Sequence, residues 1–334
     1  MTRVILISLG LAVAAYVLIV VRTAWVIVHP NRRWRPTDWE PLPLNPARVH
    51  FRSADGTRLA GWIKPHDNPI ATVILIHGLG VNHTVLANRA YRLWQRRFSV
   101  MLLDFRACGE SEGSTSTCGV REVEDVSAAV DLCIHQPEFG DAPIVALADS
   151  LGGTVALAAA AQRPEIKGVL TDCAPVSLRS AIDKGFGVYT GLPALPFRRA
   201  VVWAAERITG ESVDDFSVED SIARIAPRAV CLAHGDQDPL VDVADAHLLH
   251  SRAGEPKELW LEPDVGHVLA SQIHPETYAD RVADFFSRAV SPDCGPSQQS
   301  EQRRTAQSPE TPGNPGPASN GADSTVSAQT ASRP

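Results

Sequence analysis

The sequence contains no pair of cysteines at C-x-x-C spacing and no lysine- and arginine-rich stripe interleaved with aromatics. The six cysteines, Cys108, Cys118, Cys133, Cys173, Cys231 and Cys294, are scattered and stand at no metal-ligand spacing to histidine, so no metal site is expected. Four of them fall in or beside segments expected to be core, which reads as buried free thiols and points to a reducing compartment. With a net charge of −7, the chain lacks the electrostatic footprint of a nucleic-acid binder. Internal repeats are also missing. What the chain does have is apolar material: 44% hydrophobic residues over 334 positions, enough for one large core or two small ones.

Much of that material comes first. Val4 to Val21 is a run of 18 residues without a charge, about 27 Å long as a helix. Ala24 to Val28 extends it beyond Arg22, which can snorkel to headgroups, and Trp25 suits the interface. A cleavable signal peptide is the rival reading, with Ala12-Val13-Ala14 as its cleavage motif. Cleavage there would strand the apolar segment Ala15 to Val21 at the new terminus, so residues 1–28 are expected to be an uncleaved transmembrane anchor. Arg3 precedes the span and Arg22, Arg32, Arg33 and Arg35 follow it, which by the positive-inside rule puts the rest of the chain in the cytoplasm. Residues 29–46, with prolines at 30, 36, 41, 43 and 46, read as an extended spacer near the bilayer. Residues 291–334 hold almost no large apolar side chain and read as a disordered tail.

Between these ends the periodicity is that of alternating strands and helices. Arg48 to Lys64 gives two alternating patterns around Asp55-Gly56, a hairpin signal. Apolar runs at 71–76, 98–103, 144–148, 166–170, 229–233 and 258–261 then alternate with helical patterns near 83–96, 120–135, 151–162, 242–251 and 276–289. The expected fold class is α/β, a mainly parallel sheet with helices on both faces, whose chemistry belongs beyond the carboxyl ends of the strands.

Ala142 to Ala161, APIVALADSLGGTVALAAAA, places Ser150 where a buried strand turns into a small-residue helix. A tight turn of that kind strains the serine backbone and lifts its hydroxyl above the sheet, which requires small neighbours. Gly152 and Gly153 supply them. The pattern G-x-S-x-G is kept in spacing, with Ala148 in the place of its first glycine. At another strand end, Ile76-His77-Gly78-Leu79-Gly80 lets the backbone turn sharply and aim N–H groups at a ligand. A dinucleotide fingerprint would need a glycine where His83 stands. The turn Asp104 to Gly113, with a buried acid and a basic partner, reads as a structural brace without a catalytic step.

A serine hydroxyl needs a base to take its proton and a carboxylate to orient that base. Two further strand ends provide them, His234-Gly235-Asp236-Gln237-Asp238-Pro239 and Glu262-Pro263-Asp264-Val265-Gly266-His267. Asp238 is preferred to Asp236, which suits a turn, and His267 to His274, which opens the last helix. His77 and His234 read as loop-packing residues, and His247 and His250 as surface residues.

These segments, taken in order, resemble the α/β-hydrolase superfamily over roughly residues 48–290, and in particular its serine esterase and acylglycerol-lipase-like members with a short lid. The resemblance rests on the hairpin, His77-Gly78-x-Gly80, Asp104-Phe105-Arg106-x-x-Gly109-x-Ser111-x-Gly113, Ser150-x-Gly152-Gly153, His234-Gly235-x-x-Asp238 and Gly266-His267. It implies an α/β-hydrolase domain over 47–290, Ser150 as nucleophile, His267 as general base and acid, Asp238 as orienting carboxylate, and the backbone N–H groups of Leu79 and Leu151 as oxyanion donors. It also implies that residues of about 174–227 form a lid, in which Phe186, Val188, Tyr189, Leu192, Leu195 and Phe197 either line an acyl pocket or pack the lid down. Aspartate-nucleophile relatives such as epoxide hydrolases are disfavoured by the serine. The resulting expectation is a membrane-anchored serine hydrolase that takes small or lipid-like esters and needs no cofactor. A peptidase or amidase on the same residues and a silent interaction protein of the same fold are the alternatives.

Overall fold

A computed structural model describes residues 1–33 and 44–291; most of the expected spacer and nearly all of the expected tail lie outside the described residues. The chain divides into two units, Met1–Pro296 and Ser297–Pro334, and every described element belongs to the first. In order these are α1 (Thr2–Val28), β1 (Ala47–Arg52), β2 (Arg58–Lys64), β3 (Ala71–Ile76), α2 (Ala87–Gln95), β4 (Phe98–Asp104), α3 (Glu122–His135), β5 (Ile144–Asp149), α4 (Leu151–Gln162), β6 (Ile166–Asp172), α5 (Leu178–Thr190), α6 (Ala194–Thr209), β7 (Ala229–Gly235), α7 (Val243–Arg252), β8 (Lys257–Glu262), α8 (Ala270–Ile273) and α9 (Pro275–Ala289).

The strands form one eight-stranded sheet in the order β1-β2-β4-β3-β5-β6-β7-β8. Only the β1/β2 and β2/β4 pairings are antiparallel. The hairpin turns at residues 53–57, where the Thr57 N–H bonds the Asp55 carboxylate at 3.0 Å. Every residue of β3, β4, β5 and β7 is buried, which explains runs that are apolar throughout rather than alternating. Side chains such as Ile74, Leu75 and Met101 are completely enclosed, each worth about 1.5–3 kcal/mol on leaving water. The chain runs from β3 outward to β4 and then returns across β3 to β5. The carboxyl ends of β3 and β5 therefore flank the crevice at which this class of sheet binds ligands.

Several strands extend one or two residues beyond their apolar runs. Where the last residue is a carboxylate it is locally satisfied: Asp104 is bonded by His83 and by the Glu110 N–H, and Asp172 by the Tyr278 hydroxyl. The brace differs in its partner from the sequence expectation. Buried Asp104 pairs with His83, while Arg106 turns to Asp125 and Asp55. Helix α5 also runs on through Gly185 to Thr190. That glycine is a packing residue, because a Cβ there would stand 2.9 Å from the Leu240 carbonyl.

Helix α1 is long and apolar enough to cross a membrane, a test that a signal sequence also passes. Its carboxyl-terminal half does not stand clear of the domain. Val20 and Ala24 share a buried cluster with Phe186, Val201 and Ala204 of α5 and α6, and Tyr16 and Ile27 pack against the same cluster. At the end of the helix Ser116 N–H donates to the Val28 carbonyl at 2.8 Å, and beyond it the Arg32 guanidinium bonds the carbonyls of Gly109 and Gly113.

Candidate active site

β5 ends at Asp149 and α4 begins at Leu151, so Ser150 alone makes the turn, at φ 52 and ψ −130. A positive φ at a residue with a Cβ is strained, and here the surrounding glycines hold it. A Cβ on Gly152 would lie 2.2 Å from the His77 carbonyl, one on Gly153 2.7 Å from the Ala174 methyl, and one on Gly78 3.2 Å from the Ser150 Cβ. Ala148, in the place of the first glycine, is buried in the core within β5, paired in register with Ile76 and Thr171.

His77 organises the facing loop. Its Nε2 accepts the Phe105 N–H at 3.1 Å, so the ring proton sits on Nδ1 and donates to the Gly78 carbonyl at 2.7 Å. Burial pushes the His77 pKa down and keeps the ring neutral, as this arrangement needs. Because a peptide unit is planar with its C=O and N–H opposed, pinning the Gly78 oxygen also fixes the direction of the Leu79 N–H. Neither the Leu79 nor the Leu151 N–H meets a protein acceptor among the described residues, and both residues line the same cavity as Ser150.

The loops after β7 and β8 complete the arrangement. His267 Nε2 lies 2.9 Å from Ser150 Oγ, and His267 Nδ1 lies 2.6 Å from Asp238 Oδ2. The other Asp238 oxygen accepts the Leu240 and Val241 N–H groups at 2.8 and 3.0 Å. Burial pushes the Asp238 carboxyl up, but the hydrogen bond and charge of His267 and the two backbone donors outweigh it and hold the group below its ordinary value. Asp236 instead takes the Asp264 N–H at 2.7 Å and shapes the turn. His234 is buried behind Asp238 at 3.6 Å, and burial lowers its pKa. His274 precedes α9, away from this chain of bonds, and His247 lies exposed on α7.

Sequence reasoning missed two features, a buried ion pair and a cysteine at the site. Beneath the turn, Arg89 clamps Asp149 through both guanidinium nitrogens, and both residues are buried. Next to this pair, burial and the Asp149 charge push the Asp172 carboxyl up to about 6. Cys173 sits beside the histidine, its sulfur accepting the Val268 N–H at 3.3 Å. Cys173, Asp238 and His267 lie close enough to hold a metal ion. Burial pushes the Cys173 thiol far above its ordinary pKa, and Asp238 and His267 already bond each other, so the set does not suit metal binding. All five described cysteines are free and buried; Cys294 lies outside the described residues.

Above Ser150 lies a largely apolar cavity of about 410 Å³, within the ~300–1,000 Å³ typical of small-ligand sites. Of the six lid residues singled out in the sequence, Phe186 and Tyr189 line it. Leu192 and Phe197 instead pack the lid towards α1, and Val188 and Leu195 face outward. Ile27 of α1 also forms part of the wall.

Comparison with known proteins agrees with this architecture. A family model described as serine aminopeptidase, S33, matches residues 67–209. The uncharacterized protein YfhR of Escherichia coli O157:H7 is 30% identical over 263 residues, covering 75% of this chain and 84% of that protein. The uncharacterized protein Rv2307c of Mycobacterium tuberculosis is 29% identical, covering 79% and 87% respectively. Among solved structures, the Pyrococcus furiosus esterase Pf2001 aligns with a TM-score of 0.64 at 26% identity, over 78% of this chain and 98% of that one. With its sheet order, its strand-turn-helix serine and these relatives, the chain belongs to the α/β-hydrolase superfamily.

Proposed function

We propose that the chain is a membrane-anchored serine hydrolase that cleaves carboxylic esters of lipid-like, single-chain type. The observation that carries this reading is the continuous hydrogen-bonded chain from Ser150 through His267 to Asp238 at the floor of an apolar cavity. In the reaction, Ser150 Oγ attacks the ester carbonyl as its proton passes to His267 Nε2. Asp238 holds the Nδ1–H tautomer and stabilises the imidazolium. The Leu79 and Leu151 N–H groups meet the developing oxyanion, the latter at the positive end of α4. His267 then returns the proton to the leaving alcohol and activates the water that releases the acyl group. None of these steps calls for a cofactor. In this reading α1 is the anchor, residues 29–46 the spacer, 47–290 the catalytic domain with its lid at 174–227, and the arginines after the span put that domain on the cytoplasmic side.

The serine aminopeptidase description of the matching family model makes amide hydrolysis the second reading. An aminopeptidase needs an acceptor for its substrate's ammonium group. Among the described residues the one carboxylate lining the cavity is Asp149, and Arg89 engages both its oxygens. Esters are therefore favoured. A panel of p-nitrophenyl esters beside aminoacyl p-nitroanilides separates the two: ester turnover at least a hundredfold faster is expected, and preferential release from the aminoacyl amides would replace this reading with the peptidase one.

A further inference from the structure

The amino-terminal helix does more than tether. Tyr16, Val20, Ala24 and Ile27 lie on one stripe of α1 and pack with Phe197, Val201, Ala204 and Ile208 of α6. Ala24 and Ala204 let the two backbones approach closely. The contact extends into the part of α1 that carries no charge: the Tyr16 hydroxyl donates to the Pro196 carbonyl at 3.0 Å, and the Tyr16 and Phe197 rings are 5.1 Å apart. Tyr16 stands five residues before Val21, about 7 Å up the helix axis. If α1 spans a bilayer, the start of α6 is carried below the headgroups with it, and the Tyr16 hydroxyl satisfies a carbonyl that water cannot reach.

The outer surface of this corner suits that depth. Leu195 is 82% exposed, and Val188 and Trp203 are also exposed. Arg22, Arg199 and Arg207 lie exposed along the same two helices. Arg199 has no ion-pair partner among the described residues, and Arg207 stands over the Trp203 ring at 5.7 Å. Apolar side chains bordered by arginine and tryptophan are the composition of a surface seated in an anionic lipid interface.

The cavity reaches the same corner. Ile27 of α1, Ile182 and Phe186 of α5 and Val201 and Val202 of α6 line it, and so does Tyr189, which is also 48% exposed. We propose that α1 is a wall of the substrate site and that the acyl chain of a membrane-resident ester enters sideways from the bilayer, between α1 and the α5–α6 corner. This rests on the ester-hydrolase reading of Ser150 and adds the substrate's location and the residue that measures its chain, Ile27.

The test uses the full chain in phosphatidylcholine vesicles containing phosphatidylglycerol, with p-nitrophenyl acetate in solution and p-nitrophenyl palmitate in the bilayer. Ile27→Trp is expected to lower the ratio of palmitate to acetate kcat/KM at least tenfold, with fluorophosphonate labelling reporting that the variant is folded. Val26→Trp, on the exposed face of α1, is expected to change neither. Leu195→Glu, at an exposed position where folding is not at risk, is expected to lower palmitate turnover at least fivefold and leave acetate unchanged. An unchanged palmitate-to-acetate ratio in both Ile27→Trp and Leu195→Glu would overturn the proposal while leaving the hydrolase reading intact. A wild type that labels with fluorophosphonate and cleaves acetate but not palmitate would also overturn it, whereas a wild type that neither labels nor cleaves either ester removes the hydrolase reading itself, and the proposal with it.

Discussion

Gly152 has no room for a methyl group, because the added carbon would lie 2.2 Å from the His77 carbonyl. Gly152→Ala must therefore push α4 away from the His77–Gly78 loop and separate the two N–H groups assigned to the oxyanion. A loss of about 1–3 kcal/mol in stability is expected, with at least a tenfold fall in kcat, measured by thermal unfolding and ester turnover; a variant as stable and active as wild type would contradict this packing. Asp172 behaves in the opposite sense. Its carboxyl titrates at about 6 when folded and near 3.9 when unfolded, so ionising it opposes folding, increasingly from pH 4 to 6 and fully above pH 6. Asp172→Asn is expected to stabilise the protein by up to about 3 kcal/mol at pH 7.5 and scarcely at pH 4, and equal melting shifts at the two pH values would count against it. These two residues also differ in how legible they are in the sequence. Gly152 stands two positions from the serine it serves, so its need to be small follows from a local motif. The clamp beside Asp172 joins Arg89 to Asp149 across 60 residues, and neither side chain carries a local signal of the other.

Among elements, those built from local signals match the structure within a few residues. β3 and α4 follow their apolar patterns without change, and the hairpin turns at Asp55-Gly56. Ser150, His267 and Asp238, the residues proposed for catalysis, each stand just beyond a strand end, and it is Asp238 rather than Asp236 that bonds the imidazole. What pattern reading missed is the pairing of elements distant in sequence. α1 reads as a free-standing apolar helix because its exposed and protein-facing sides are equally apolar, so no amphipathic stripe marks the face that docks on α6. That docking makes its own prediction. Ala204→Leu inserts a large side chain where Ala24 and Ala204 share one buried cluster and is expected to destabilise the full chain by about 1–3 kcal/mol. Arg199→Ala on the exposed face should be neutral. Thermal unfolding in detergent distinguishes them, and equal melting of the two variants would show that the helices do not depend on each other.

At the scale of the whole molecule, the sheet's change of winding direction between β3 and β5 sets the crevice proposed as the active site, and the loops after β7 and β8 bring a carboxylate and an imidazole to it. The lid and the amino-terminal helix then close it with apolar surface, which accounts for a cavity much less polar than the residues at its floor. Removing α1 would remove Ile27 from the lining of the cavity, so the full chain is the form in which activity has to be judged. The central claim is that Ser150 is an activated nucleophile. Labelling of the full-length protein with a fluorophosphonate probe, wild type beside Ser150→Ala, tests it most directly: the account predicts strong labelling of the wild type and none of the variant. A folded wild type that does not label, or labelling that persists in Ser150→Ala, would contradict it.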